Sequence, residues 1–143
     1  PDVEIFTYGK DIMDIDFEPV FEEKIQEMDI ILNGVDNLPA REYLNIKCVR
    51  YDIPYINAGA SRSGLSGYVH PIIPHKTSCS ACLKRISIKL SNDRGESCTA
   101  SLPSTMAILA SIQIQELLKH LLKFGAMIDY VMYNMLSGEF SHY

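Results

Sequence analysis

The sequence predicts an α/β fold built on a mixed sheet. Short apolar runs rich in β-branched residues alternate with segments whose apolar residues recur every three or four positions. Such alternation is typical of a mainly parallel sheet covered by helices. Two short strand-like runs near the end predict antiparallel strands added to that sheet. At 143 residues and without a linker-like segment, the chain is expected to be a single domain, residues 1–143.

The first 50 residues supply two predicted strands and two predicted helices. Val3–Tyr8 mixes β-branched and aromatic residues and predicts a strand. Phe17–Met28 has the apolar spacing of a helix, and Asp29–Val35 is an apolar run that predicts a parallel strand buried on both faces. A second helix then begins, with Asp36 or Asn37 as its N-cap.

The second half adds a cysteine-containing excursion and the longest helix, expected over Ser101–Phe124 with Ser101 or Ser104 as its N-cap. Lysine, glutamine and glutamate interrupt the apolar residues of this helix, so it is expected to be amphipathic rather than to span a membrane. The remaining strands are predicted at Pro54–Gly59, Leu65–Ile73, Ile128–Tyr133 and Glu139–His142.

Composition excludes several classes of function. A net charge of −5 and no block of lysine or arginine argue against nucleic-acid binding, which needs a basic patch. No secretory signal is visible, so the four cysteines are expected to be reduced thiols in the cytoplasm. In that setting, metal binding or catalysis is a more common use of cysteine than a disulfide.

Asp36 and Asn37 follow a predicted buried strand, where open α/β sheets form their ligand crevice. A carboxylate there suits Mg²⁺ beside nucleotide phosphates, and the amide suits a ribose or base. The alternative is that Asp36 only caps the helix.

Cys79 and Cys82 form a C-x-x-C pair. Two thiolates at this spacing suit tetrahedral zinc, but a structural site needs four ligands. Two ordinary thiols or a redox pair are the alternatives. Redox use is disfavoured because the motif is not expected to open a helix. His70 and His75 are possible additional ligands.

Cys98 lies in a loop of small residues just before the long helix. The positive end of a helix dipole favours thiolate, so Cys98 is a candidate nucleophile, whereas a buried inert thiol is the alternative. Cys48 lies among apolar residues of the second predicted helix and fits the inert description.

Three segments occur in an order that resembles the ThiF/MoeB/ubiquitin-activating family. They are DIILNGVDNLPAREYLN, INAGASRSGLSGYVHPIIPHKTSCSAC and GESCTASLPSTMAILASIQIQELLKHLLKFG. The last is most similar to the branch that activates the ubiquitin-fold modifier. The resemblance covers essentially the whole chain and implies a three-layer Rossmann-like mixed sheet, the C-terminal portion of a ThiF-type adenylation domain.

Carried over by position, the resemblance implies that Asp36 meets the Mg²⁺ of ATP and that Asn37 contacts the nucleotide. It implies a structural or nucleotide-proximal role for Arg41. Cys79 and Cys82 match half of a four-cysteine Zn²⁺ site, and Cys98 matches the cysteine that takes the activated modifier as a thioester. The glycine-rich ATP loop and the second cysteine pair are expected to lie outside this chain.

The implied function is ATP-dependent adenylation of the C-terminal glycine of a ubiquitin-like protein, followed by thioester formation. A MoeB/ThiF-type enzyme acting on a sulfur-carrier protein is one alternative, and a non-catalytic subunit of a heterodimeric activating enzyme is another. A dinucleotide-binding oxidoreductase would leave the cysteines unexplained. The implied partners are the carrier protein, a conjugating enzyme or sulfur donor, and a second copy in a homodimer.

Overall fold

The computed structural model describes residues 2–61, 63–87 and 102–143, and shows a five-stranded sheet in the order β1-β2-β3-β4-β5. β1 and β2 are parallel, and every later pair is antiparallel. The strands are β1 Ile31–Leu32, β2 Tyr55–Ala60, β3 Ser66–Ile72, β4 Val131–Asn134 and β5 Glu139–His142. The helices are α1 Glu18–Ile25, α2 Leu38–Arg50, α3 Ser80–Ser87 and α4 Pro103–Leu122.

The mixed sheet is confirmed, but the expectation of a mainly parallel sheet is wrong. Parallel neighbours need a crossover of a dozen or more residues, and α2 supplies one between β1 and β2. The connection from β3 to β4 is also long and contains α3 and α4, but it returns the chain antiparallel to β3. β2 and β3 are joined by a short turn, which makes them antiparallel.

Helices pack on both faces of the sheet, which gives three layers. Successive strand residues point to opposite faces, so the neighbours Tyr55 and Ile56 belong to two different apolar clusters. The first cluster joins β2 and β3 to α1 and α2, through Ile25, Leu44, Cys48, Ile53, Tyr55 and Ile72. The second joins β2, β3 and β4 to α4, through Ile56, Val69, Leu109, Val131 and Tyr133.

Two predictions at the N-terminal end of the sheet are wrong. The described part of Val3–Tyr8 contains no strand, and Val3 and Phe6 are 78% and 72% exposed. The predicted strand Asp29–Val35 is reduced to Ile31–Leu32, and Leu32 is exposed rather than buried. Strand propensity alone does not order a segment that lacks a hydrogen-bonding neighbour, and among the described strands β1 has a neighbour on one side only.

The helix starts depend on different residues. Asn37 caps α2, as one of the two alternatives predicted. At α4 the N-cap is Leu102, which makes no side-chain cap bond, so the prediction of a Ser104 cap is wrong. Pro103 begins that helix because its fixed φ suits the first turn and its missing N–H has no partner there. Ser101 lies outside the described residues.

A buried lysine fixes α1 against α2. The ammonium group of Lys47 contacts the carboxylates of Glu18 and Glu22, and this pairing raises the lysine pKa. Burying a charge is tolerated when it is paired in this way. Within the described ranges, no helix has the length and apolar character needed to cross a membrane.

Candidate functional site

Asp36 lies at the carboxyl end of β1, in the turn that leads into α2. Its neighbour Asn37 is the cap, because the Asn37 Oδ1 atom accepts the Ala40 N–H at 2.9 Å. Asn37 Nδ2 also donates to Asp36 Oδ1 at 3.2 Å. The alternative that Asp36 only caps α2 is therefore wrong, and its carboxylate is exposed at the edge of the sheet where α/β proteins bind ligands.

Arg41, which is half-buried in the first turn of α2, makes hydrogen bonds to the same turn. Its Nη2 donates to the Val35 carbonyl at 2.6 Å, and its Nη1 donates to Asn57 Oδ1 at 2.8 Å and also to the carbonyl of Ala58. A planar guanidinium presents donors in fixed directions, so these three bonds join α2 to the ends of β1 and β2. This geometry fits the structural one of the two roles implied for Arg41.

Sequence reasoning missed three buried amide side chains beneath this turn. Asn33 Nδ2 donates to Asn57 Oδ1 at 2.6 Å, and Asn33 Oδ1 accepts the Val35 N–H at 2.9 Å. From α4, Gln113 Nε2 donates to the carbonyls of Asn33 and Ile56 at 3.1 and 2.8 Å. Each is a polar residue at a position that the apolar pattern marks as buried, which is a signal for a required hydrogen bond.

Asn57 also reaches toward the cysteine pair. Its Nδ2 lies 3.3 Å from the Tyr68 hydroxyl and 3.5 Å from Ser80 Oγ, and both oxygens can accept a hydrogen bond. Ser80 is the first residue of α3, and its N–H donates to Asn45 Oδ1 at 3.1 Å. The Asp36 turn and the start of α3 are thus joined by side-chain hydrogen bonds across one face of the sheet.

Cys79 and Cys82 do open a helix, contrary to the sequence expectation, because Cys79 directly precedes α3. The Cys82 N–H donates to the Cys79 carbonyl at 3.0 Å, and the two sulfur atoms lie 3.7 Å apart. Two thiolates bound to tetrahedral zinc at about 2.3 Å are about 3.8 Å apart. The pair therefore has the sulfur spacing of half a zinc site.

The pKa values of Cys79 and Cys48 are shifted in opposite directions by their surroundings. Partial burial opposes ionisation of Cys79, but hydrogen bonds from the backbone and thiol of Cys82, the backbone of Ala81 and the side chain of Asn45 outweigh it and lower the pKa. Burial instead raises the pKa of Cys48 to about 12. Cys48 is fully buried, as expected for an inert thiol.

The histidines considered as additional ligands have other environments. His75 Nε2 lies 3.0 Å from Asp52 Oδ1 at the surface. His70 is buried, and among the residues that the structure describes its Nε2 has no hydrogen-bond partner. Burial lowers the pKa of His70, while the Ser78 backbone and the charge of Asp129 act in the opposite direction. Across residues 2–61, 63–87 and 102–143, no group of three or more potential ligands could hold a metal ion.

Cys98 lies outside the described residues. Its role as a nucleophile, and its position relative to Asp36, therefore stay predictions.

The sequence matches the ThiF family over residues 1–142. The chain belongs to the ThiF family. The same strand, turn and helix that carry Asp36, Asn37 and Arg41 here lie within that match. The fold class implied by the resemblance is thereby confirmed.

Curated relatives of this ThiF-family chain include ubiquitin-like modifier-activating enzyme 5 of Drosophila melanogaster, 35% identical over 153 residues, and that of Caenorhabditis elegans, 34% identical over 152. Each alignment covers 98% of this chain but only 38% and 36% of the relative. Among solved structures, E. coli MccB with ATP superposes with a TM-score of 0.72 at 22% identity, covering 95% of this chain and 41% of that one. That likeness supports the fold.

Proposed function

We propose that the native polypeptide adenylates the C-terminal glycine of a ubiquitin-like protein. The observation that carries the proposal is the exposed Asp36 carboxylate beside the Asn37 cap, at the ligand edge of a ThiF-family sheet. Further support comes from relatives named as ubiquitin-like modifier-activating enzymes, which match nearly the whole chain. Because the chain spans little more than a third of their length, residues outside it would complete the site.

In the proposed reaction, the glycine carboxylate attacks the α-phosphorus of ATP, the α–β phosphoanhydride bond breaks, and pyrophosphate leaves. Mg²⁺, when bound, offsets the charge that develops on the phosphate oxygens. Asp36 would hold that ion, Asn37 would contact the nucleotide, and Arg41 would keep the turn in place. Fixing such groups before the reaction is how a protein stabilises developing charge without reorganising.

The second proposed step is transfer to Cys98. Its thiolate would attack the acyl carbon of the adenylate, forming a thioester and releasing AMP. Cys79 and Cys82 would hold structural Zn²⁺ together with two ligands from elsewhere. A homodimer, a downstream conjugating enzyme or sulfur donor, and a cytoplasmic location are further predictions that come from the resemblance alone.

Adenylation is tested by ATP–pyrophosphate exchange on the native polypeptide, with the ubiquitin-fold modifier and a sulfur-carrier protein as separate substrates. Asp36→Ala should suppress exchange by about a hundredfold or more, because a charge acting on the reacting phosphates is lost. Asp29→Asn is the matched control, since Asp29 is an exposed aspartate just before the opposite end of β1. Unchanged exchange in Asp36→Ala would refute the role of Asp36.

Thioester formation is tested separately by intact mass measurement after incubation with ATP and each carrier. Cys98→Ala should keep exchange and lose the thiol-sensitive adduct. An adduct that survives this change would eliminate Cys98 as the nucleophile. Exchange only with the sulfur carrier, without an adduct, would instead favour a MoeB/ThiF-type activity.

A further inference from the structure

Asn57 lies at the centre of the hydrogen bonds that join the Asp36 turn to α3. Its Oδ1 atom accepts from Asn33 and Arg41, and its Nδ2 atom faces the hydroxyls of Tyr68 and Ser80. Asn57 is 4% exposed, so water does not substitute for these partners. We propose that Asn57 is a positioning residue that fixes the Asp36 turn; its catalytic consequence rests on the proposed function.

The residue that Asn57 controls most directly is Val35, which precedes Asp36. Asn33 Oδ1 accepts the Val35 N–H, and Arg41 Nη2 donates to the Val35 carbonyl. Asn57 Oδ1 supports both bonds, because it accepts from Nδ2 of the same Asn33 and, together with the Ala58 carbonyl, from Nη1 of the same Arg41. Asn57 Oδ1 therefore helps to orient Asn33 and Arg41, the two side chains that bond the N–H and the carbonyl of Val35.

The chemistry of this position suits asparagine. The Asn33 amide nitrogen and the Arg41 guanidinium can only donate, so the atom between them must be an acceptor. On the other side the two hydroxyl oxygens can accept, so an amide nitrogen serves there. Aspartate preserves the acceptor, and both hydroxyls can rotate to donate to its second oxygen. Leucine has a similar shape and removes both functions.

The network also links the two candidate sites. Ser80 begins α3 directly after Cys79, and Asn57 Nδ2 faces its hydroxyl at 3.5 Å. A change in the placement of α3 would therefore reach Val35 through Asn57 and Arg41. Asn57 is therefore expected to affect the position of the Asp36 carboxylate in addition to the stability of the fold.

The test compares Asn57→Leu with Asn57→Asp in the native polypeptide. Hydrogen–deuterium exchange of the peptide covering residues 33–38, without nucleotide, should accelerate about fivefold or more in Asn57→Leu and stay near the wild-type rate in Asn57→Asp. Asn134→Ala is the control for general destabilisation, because it removes a turn hydrogen bond to Leu136 far along the sheet. It should leave exchange in residues 33–38 unchanged.

The catalytic readout is the Mg²⁺ concentration that half-saturates ATP–pyrophosphate exchange. Asn57→Leu should raise it about five- to tenfold, as expected for losing the bonds that orient one ligand, whereas Asn57→Asp should restore it. If Asn57→Leu does not fold, Asn57→Ser serves instead, because its shorter side chain does not reach both donors.

The outcomes separate the two hypotheses. Unchanged deuterium exchange at residues 33–38 in Asn57→Leu would overturn the positioning role, whatever the activity. Faster deuterium exchange with an unchanged Mg²⁺ requirement would overturn the catalytic consequence. If the wild-type protein shows no pyrophosphate exchange with either carrier, the proposed function and that consequence both fall, and the deuterium result alone decides whether Asn57 fixes the turn.

Discussion

Gly67 of β3 faces α4, and replacing it with alanine should destabilise the protein. A Cβ atom at this position would lie 2.3 Å from Leu109 Cδ1 and 2.7 Å from the carbonyl oxygen of Gly59. Leu109 can move by changing its rotamer, but the Gly59 carbonyl belongs to the backbone of β2, the neighbouring strand. Overpacking of this kind costs about 1–3 kcal/mol, and we expect the upper half of that range because one contact is with backbone.

The assay is urea unfolding of wild type and Gly67→Ala, with the denaturant slope required to stay constant. In a domain of this size, each kcal/mol should also lower the Tm by about 2–4 °C. Gly34→Ala is the matched control, because a Cβ there meets no described atom within 4 Å and the backbone is not left-handed. It should change the free energy of unfolding by about 0.5 kcal/mol or less. A Gly67→Ala variant as stable as Gly34→Ala would refute the described packing of α4 on β3.

Three other predictions concern single side chains. Burial lowers the pKa of His70, so below the ordinary histidine pKa of about 6.5 the unfolded chain binds more protons than the folded chain, and stability should fall as the pH drops, by at most about 1.4 kcal/mol per pH unit. His70→Gln should remove this part of the slope in urea unfolding at about pH 7.5 and about pH 5.5; identical slopes would contradict the assignment. Asn37→Ala should lower the free energy of unfolding by about 1 kcal/mol, because the Ala40 N–H loses its acceptor, and should shorten the N-terminal end of α2 as measured by NMR. The control Asn134→Ala should leave the length of α2 unchanged. Cys82→Ser should lower the zinc content of the native polypeptide, measured by atomic absorption, and equal zinc in variant and wild type would exclude Cys82 as a ligand.

Elements with strong local signals could be predicted from the sequence. β5 has the predicted bounds, Glu139–His142, and α2 begins at Asn37, one of the two caps that the sequence predicts. Both depend on residues close together in the chain, namely a short strand-like run after a glycine turn and a capping side chain three residues from its partner. Such signals are read without knowing the rest of the fold.

The interior of the candidate site could not be predicted in the same way. Asn33 and Asn57 are 24 residues apart, and Gln113 is 80 residues from the Asn33 carbonyl that it contacts. The apolar pattern could mark these positions as unusual, but the choice of partner depends on how strands and helices pack. The same limitation explains why the sequence does not predict the helix after Cys79, since α3 is held to α2 through Asn45.

Because Tyr55 and Ile56 point to opposite faces of the sheet, the protein has two apolar cores separated by that sheet. Tyr55 packs with α1 and α2, and Ile56 packs with α4, so neither apolar cluster has a member in common with the other. Energetic effects of substitutions in clusters without shared partners are expected to add. Changes among the apolar side chains around Leu109 are therefore expected to leave the Tyr55 cluster unchanged. Gln113 is the exception that an engineer should keep, because it joins α4 to the Asn33 carbonyl beneath the Asp36 turn.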